Sequence, residues 1–115
     1  MNTIKNEELD INQINNKELR ENLLDNAFAY LVNTNMIKKE DFAGMKARFG
    51  YLLMVENHGI EALFKIMRDD KTFYFACQGD NLKILNINEE QFESVSLHML
   101  DLYKIKREDK TFILN

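Results

Sequence analysis

Apolar residues at helical spacing predict two helices in the first half of the chain. Over residues 17–33 they recur every three or four positions, which is typical of an amphipathic helix. A similar spacing over residues 38–57 predicts a second helix, so that the two form a helical hairpin. Gly44 and Gly50 weaken the second helix, since each costs about 1 kcal/mol relative to alanine. The alternative is a buried strand over residues 51–55, and we favour the helix.

After residue 59 the apolar positions alternate, which predicts a three-stranded antiparallel meander. The strands cover residues 60–68, 72–78 and 82–87, and residues typical of turns separate them. The first strand also fits a short helix. In the first two strands the alternation assigns three residues each to a common face: Ala62, Phe64 and Ile66, then Phe73, Phe75 and Cys77.

A capping box predicts where a C-terminal helix begins. The side chain of Asn88 can accept a hydrogen bond from Gln91, whose own side chain can return one. Ile87 and Phe92 hold the positions of a hydrophobic staple. We expect the buried face of this helix to contain Phe92, Val95, Met99 and Leu102. Residues 111–114 predict a short final strand.

Together these elements predict an α+β fold with an N-terminal helical hairpin, a three-stranded antiparallel meander, a C-terminal helix and a short terminal strand. Residues 1–15 are expected to be a flexible N-terminal arm, and residues 16–115 a single α+β domain. The helices are expected to pack on one face of the sheet. The predicted core consists of Leu23, Phe28, Phe49, Leu52, Phe64, Phe73, Phe75, Ile84, Phe92, Val95 and Met99.

Composition and charge narrow the classes of function. The chain has 115 residues, one cysteine, no proline and a formal net charge of −4, divided evenly between its halves, so no basic segment predicts nucleic-acid binding. The N-terminal stretch lacks the apolar centre of a secretory signal, and the apolar runs are far too short to span a membrane. We therefore expect a cytoplasmic protein without membrane association. The abundance of Asn, Lys and Ile favours an AT-rich bacterial or phage genome as its source.

The residues that could carry chemistry have structural explanations. Cys77 could be a nucleophile served by His58 or His98, but it follows an aromatic run in a predicted strand, where a small buried residue is expected. The histidines show no metal-ligand spacing. The carboxylate pairs at 69–70 and 89–90 suit a turn and a helix start. We therefore expect a protein that is not an enzyme, with no catalytic residues, no metal and no cofactor.

By elimination, the leading expectation is a small acidic non-enzymatic protein-binding domain. It would be a bacterial or phage inhibitor, of the immunity or anti-defence type, that occludes a partner protein such as a basic nuclease. The chain could act as a monomer or a homodimer. The expected partner-binding residues are exposed acids and one tyrosine: Glu61, Asp69, Asp70, Tyr74 and Asp80.

The alternative is a nucleic-acid-associated regulator. Such proteins combine basic and aromatic residues on one surface. A mixed basic and aromatic sheet face could contain Lys65, Arg68, Lys71, Tyr74 and Lys83. Acidic residues are interleaved with these five, and a solvated mixed face is the simpler interpretation.

Overall fold

Two helices enclose a five-stranded antiparallel sheet. The computed structural model describes residues 2–55, 57, 59–106 and 111–114, and the side chains of residues 2–16 are outside this described part. The elements in chain order are α1 (Asn2–Asn33), a 3-10 turn (Lys39–Asp41), β1 (Lys46–Val55), β2 (Gly59–Arg68), β3 (Lys71–Gln78), β4 (Asn81–Leu85), α2 (Glu89–Leu102) and β5 (Thr111–Ile113). The strand order is β4-β3-β2-β1-β5, with α1 on one face and α2 on the other.

The face of the sheet that packs against α1, here called the α1 face, is almost entirely apolar. The rings of Phe49, Phe64 and Phe75 stack across three adjacent strands, with centroids 4.9 and 5.5 Å apart. Each fully buried phenylalanine contributes about 1.5–3 kcal/mol. The predicted common face of β2 and β3 is confirmed, because its six residues all belong to this core. The helix contributes Leu23, Leu24, Ala27 and Leu31.

The opposite face, here called the α2 face, has a smaller core. It consists of Leu63, Tyr74 and Phe92. The helix approaches β1 very closely at Gly50, where an added Cβ would overlap the Ser96 hydroxyl and lie 3.2 Å from the Phe92 ring. Gly50 is therefore needed for the close approach of a helix to a strand.

The predicted helical hairpin is wrong, because half of its second helix is β1. Residues 39–41 form only a 3-10 turn, and the backbone extends from Lys46. Two features hide this strand in the sequence. It is covered by a helix on each face, so it lacks a polar face, and a β-bulge between Phe49 and Tyr51 shifts its alternation by one residue. The alternative over residues 51–55, a buried strand, is the conformation found.

Three further parts of the predicted fold are wrong. The meander has four strands rather than three, since β1 precedes the predicted ones. The helices lie on opposite faces rather than on one. The buried face of α2 consists of Phe92, Ser96 and Leu100, whereas Val95 and Leu102 are 46% and 52% exposed.

The predictions made from local sequence signals were more accurate than the predicted long-range arrangement of the elements. The capping box is confirmed: the Gln91 N–H donates to Asn88 Oδ1 at 2.8 Å, and the Asn88 N–H donates to Gln91 Oε1 at 2.9 Å. The helix α1 ends at Asn33 as predicted, and β5 pairs with β1.

The flexibility predicted for residues 1–15 stays a prediction, because Met1 and the side chains of residues 2–16 lie outside the described part. Over the residues described, neither helix is long and apolar enough to cross a bilayer.

Candidate functional site

The register of the sheet arranges the α2 face in three rows of side chains. Strand pairing gives them as Arg48–Lys65–Tyr74–Leu85, then Tyr51–Leu63–Ala76–Lys83, then Leu53–Glu61–Gln78–Asn81. The helix α2 begins above the first row, where Glu89 contacts Lys65 and Tyr74. Tyr103, directly after α2, borders Glu61 and Gln78 in the third row. The helix therefore runs along the strands and leaves part of the third row open.

The covered first row contains a buried lysine. The Lys65 ammonium donates to Glu89 Oε1 at 2.6 Å and lies 5.0 Å from the centre of the Phe92 ring. The Tyr74 hydroxyl donates to the same oxygen at 3.2 Å. Partial burial would raise the pKa of Glu89, but hydrogen bonding to Lys65, the Lys65 charge and Tyr74 outweigh it, so the pKa is lowered. These contacts hold the first turn of α2 on the sheet.

This cluster changes the interpretation of the predicted partner-binding residues. Tyr74 was expected to be exposed, and this is wrong, because α2 covers it and leaves 8% of its surface accessible. Burial and its hydrogen bond to Glu89 raise the pKa of Tyr74. Of the four predicted acids, Glu61 lies in β2, and the other three lie in turns at opposite ends of β3. Asp69 and Asp70 precede this strand and Asp80 follows it, roughly 25 Å away at the rise of an extended strand.

The predicted basic and aromatic face is divided between both sides of the sheet. Lys65 and Tyr74 are buried on the α2 face, and only Lys83 is exposed there. Arg68 is three residues from Lys65 in β2 and therefore lies on the α1 face, where its Nη2 donates to Asp41 Oδ1 at 3.1 Å. Lys71 is its cross-strand partner. The five residues therefore do not form one surface.

The outward side of α2 is both acidic and apolar. The helix carries four carboxylates (Glu89, Glu90, Glu93 and Asp101) and no lysine or arginine. Val95, Met99 and Leu102, here called the α2 stripe, follow i, i+4, i+7 spacing along one flank. Val95 and Leu102 are about half exposed, and Met99 is partly buried. The sequence pattern predicts these three residues on the buried face of the helix, because their three- and four-residue spacing is as typical of a buried face as that of the residues that are buried.

An open groove lies beside the end of α2. It consists of two adjoining cavities of about 200 and 530 Å³, both lined by Glu61 and Gln78. Tyr51 lines the smaller cavity, together with Lys83, and Tyr103 lines the larger one. Burial, and after it the charges of Glu61 and Tyr103, raise the pKa of Tyr51 to about 12. The side chains of Tyr51, Glu61, Gln78 and Tyr103 are here called the Glu61 groove.

Cys77 lies on the α1 face as a small buried residue. Its thiol donates to the Gly79 carbonyl at 3.3 Å. Burial, followed by the charge of Asp80, raises the pKa of the thiol, so the thiolate is disfavoured. Of the two candidate bases, His58 lies outside the described residues and His98 is exposed on α2, which packs on the opposite face. The described residues contain no group of three His, Cys, Asp or Glu side chains that could hold a metal ion.

Two exposed features on the α2 side of the molecule thus remain as candidates for function, the α2 stripe on the helix and the Glu61 groove on the sheet. Comparison of the chain with family models, with curated proteins and with solved structures finds no match. Of the predicted partner-binding residues, Glu61 lies in one of these features. The binding roles of Asp69, Asp70 and Asp80 stay predictions.

Proposed function

We propose that this protein is a small acidic, non-enzymatic binding domain that uses α2 to occlude a basic partner protein. It would act as a bacterial or phage inhibitor of the immunity or anti-defence type, and a nuclease is a suitable target because its nucleic-acid-binding surface is basic. The observation that carries the proposal is the exposed apolar stripe on a helix with four carboxylates and no lysine or arginine.

The α2 stripe is available because other residues hold the helix in place. Phe92, Ser96 and Leu100 form its buried face, and Lys65 holds its first turn through Glu89. Val95 and Leu102 therefore expose apolar surface that is not needed to pack α2. Anchors at i, i+4 and i+7 are typical of a helix that docks in an apolar groove of a partner. An exposed apolar stripe edged by polar groups is also typical of a protein contact.

The charge of α2 favours a basic partner over a second copy of this chain. Two copies of α2 would bring two acidic helices together, neither of which carries a lysine or arginine. A basic surface would instead be attracted, which raises the association rate and disfavours acidic competitors. Binding across such a surface blocks whatever the partner normally binds there, so no chemistry by this chain is needed.

The proposal can be tested by comparing three immobilised forms of the chain. The wild type, the Val95→Ser/Leu102→Ser variant and the Met36→Ser control are exposed to a lysate of the native cell. Met36 is 42% exposed and lies outside α2, so its substitution removes a comparable apolar side chain elsewhere. Captured proteins are identified by mass spectrometry, and any stoichiometric partner is purified for calorimetry.

We expect a partner rich in lysine and arginine that binds the wild type and the control equally. The double variant should bind it at least about tenfold more weakly, since exposed apolar anchors contribute about 1 kcal/mol or more each. If the partner is a nuclease, one equivalent of the wild type should abolish cleavage. An acidic partner, equal binding by all three forms, or retention on DNA or RNA in place of a protein would contradict the proposal.

A further inference from the structure

The Glu61 groove has the composition of a site for a cationic side chain. A carboxylate, an amide and two phenol rings line a concave surface beside the end of α2. Carboxylate and amide oxygens accept hydrogen bonds from a cation, and an aromatic face attracts it. Glu61 is partly buried, where a charge interacts more strongly than it does in water.

Within the groove, charge distinguishes the two cavities. Lys83 lines the smaller cavity and would repel a cation there. Among the described residues, the larger cavity is lined by Val55, Glu61, Gln78 and Tyr103, which include a carboxylate and neither a lysine nor an arginine. Tyr51 stays neutral at physiological pH, because its pKa is about 12, which leaves Glu61 as the charged group between the cavities. A cation is therefore directed to the side of Tyr103.

We propose that the larger cavity of the Glu61 groove binds an arginine side chain of the basic partner, with the guanidinium on the Glu61 carboxylate and against the Tyr103 ring. This inference rests on the proposed function and names the chemistry that its partner presents. Arginine suits the cavity better than lysine because its planar fork bonds both oxygens of a carboxylate and stacks on aromatic rings. Val55 provides an apolar wall for the methylene stem.

The site can be tested directly with a small probe. N-acetyl-arginine methylamide is titrated into the ¹⁵N-labelled full chain, and the amide shifts are followed by NMR. The citrulline analogue, which has nearly the same shape but no charge, is the matched ligand. We expect saturable shifts for the arginine probe at residues 55, 61, 78 and 103, and at least about tenfold weaker binding of the citrulline probe, since hydrogen bonds to charged groups are the stronger ones.

Variants separate the contribution of the Glu61 charge to binding from that of the Tyr103 ring. Glu61→Gln should weaken binding of the arginine probe about tenfold or more. Asp25→Asn removes the same charge from an exposed position on α1 and should leave the affinity within about twofold, because the sheet separates it from the cavity and salt screens exposed charges. Tyr103→Leu should weaken binding about threefold and Tyr103→Phe hardly at all, because the ring face provides the attraction. Unchanged shift dispersion in the free variants verifies folding.

The outcomes distinguish this site from the proposed function. Equal binding of the arginine and citrulline probes, full affinity in Glu61→Gln, or shifts elsewhere on the surface would overturn the arginine site. None of these results would affect capture of a basic partner through the α2 stripe. Conversely, capture of the same proteins by Val95→Ser/Leu102→Ser and by the wild type would contradict the proposed function alone. Binding of the arginine probe as described would still support the arginine site.

Discussion

The two faces of the sheet are built on different principles. On the α1 face, three phenylalanine rings stack across adjacent strands and α1 adds a continuous apolar stripe. On the α2 face, the contact includes a lysine–glutamate pair, a glycine against a serine, and a groove that stays open. The first face stabilises the domain. The second has fewer apolar contacts and more polar groups, and both candidate functional features lie on its side of the molecule.

The largest effect is expected on the α1 face. Phe64 is fully buried between the rings of Phe49 and Phe75, so Phe64→Ala should lower the free energy of unfolding by about 3–5 kcal/mol. Val95→Ala on the exposed side of α2 is the control and should change it by less than about 0.5 kcal/mol. Urea unfolding followed by circular dichroism measures both. Similar losses in the two variants would mean that the faces do not differ as described.

A smaller loss is expected where α2 meets β1. Gly50→Ala places a methyl group on the Ser96 hydroxyl and the Phe92 ring, which should cost about 1–3 kcal/mol and displace α2. Ser96→Gly removes the overlapping side chain. The double variant should therefore lose less stability than the sum of the two single variants. Additive losses in urea unfolding would show that the close approach at Gly50 does not matter for packing.

Ser96→Ala is expected to stabilise the α2 face. The Ser96 hydroxyl is fully buried and has no hydrogen-bond partner among the described residues, so it loses its hydration without compensation. Its removal should raise the free energy of unfolding by about 1 kcal/mol. The exposed Ser94→Ala in the same helix is the control, with a change of a few tenths at most. A clear loss of stability in Ser96→Ala would contradict this prediction.

The smallest effect concerns the ion pair that holds the first turn of α2. The pKa of Glu89 is lowered from its ordinary 4.5 in the folded protein, so its contribution is present above pH 4.5 and is lost as the pH falls through the lower folded value. Because Glu89 is 52% exposed and the amide oxygen of glutamine can still accept from the buried Lys65 ammonium, Glu89→Gln should cost only about 0.5 kcal/mol at pH 7. Urea unfolding at pH 7 and near pH 3 should give a difference between wild type and variant that shrinks in acid. Glu90→Gln is the control.

Several residues of the candidate site could be predicted from the sequence, but their surroundings could not. Glu61 was identified as a candidate for partner binding, and it lines the open groove. Tyr74 and Lys65 lie, as predicted, on the face of the sheet opposite to Phe73 and Phe75. They are nevertheless buried, because α2, which begins 15 or more residues later in the chain, covers that face. The α2 stripe was recognised as apolar and at helical spacing. Two such stripes share α2, and spacing alone does not tell which one faces the sheet.

The sequence by itself determined the features that depend on neighbours along the chain. These are the end of α1, the alternation of β2 and β3, the turns between them and the capping box of α2. Only the tertiary structure decided that residues 46–55 form a strand, because burial on both faces and a bulge remove the alternation that marks one. It also decided which face α2 covers and so which residues stay exposed. That choice depends on contacts such as Gly50 with Ser96 and Lys65 with Glu89, between residues more than 20 positions apart, which no local pattern records.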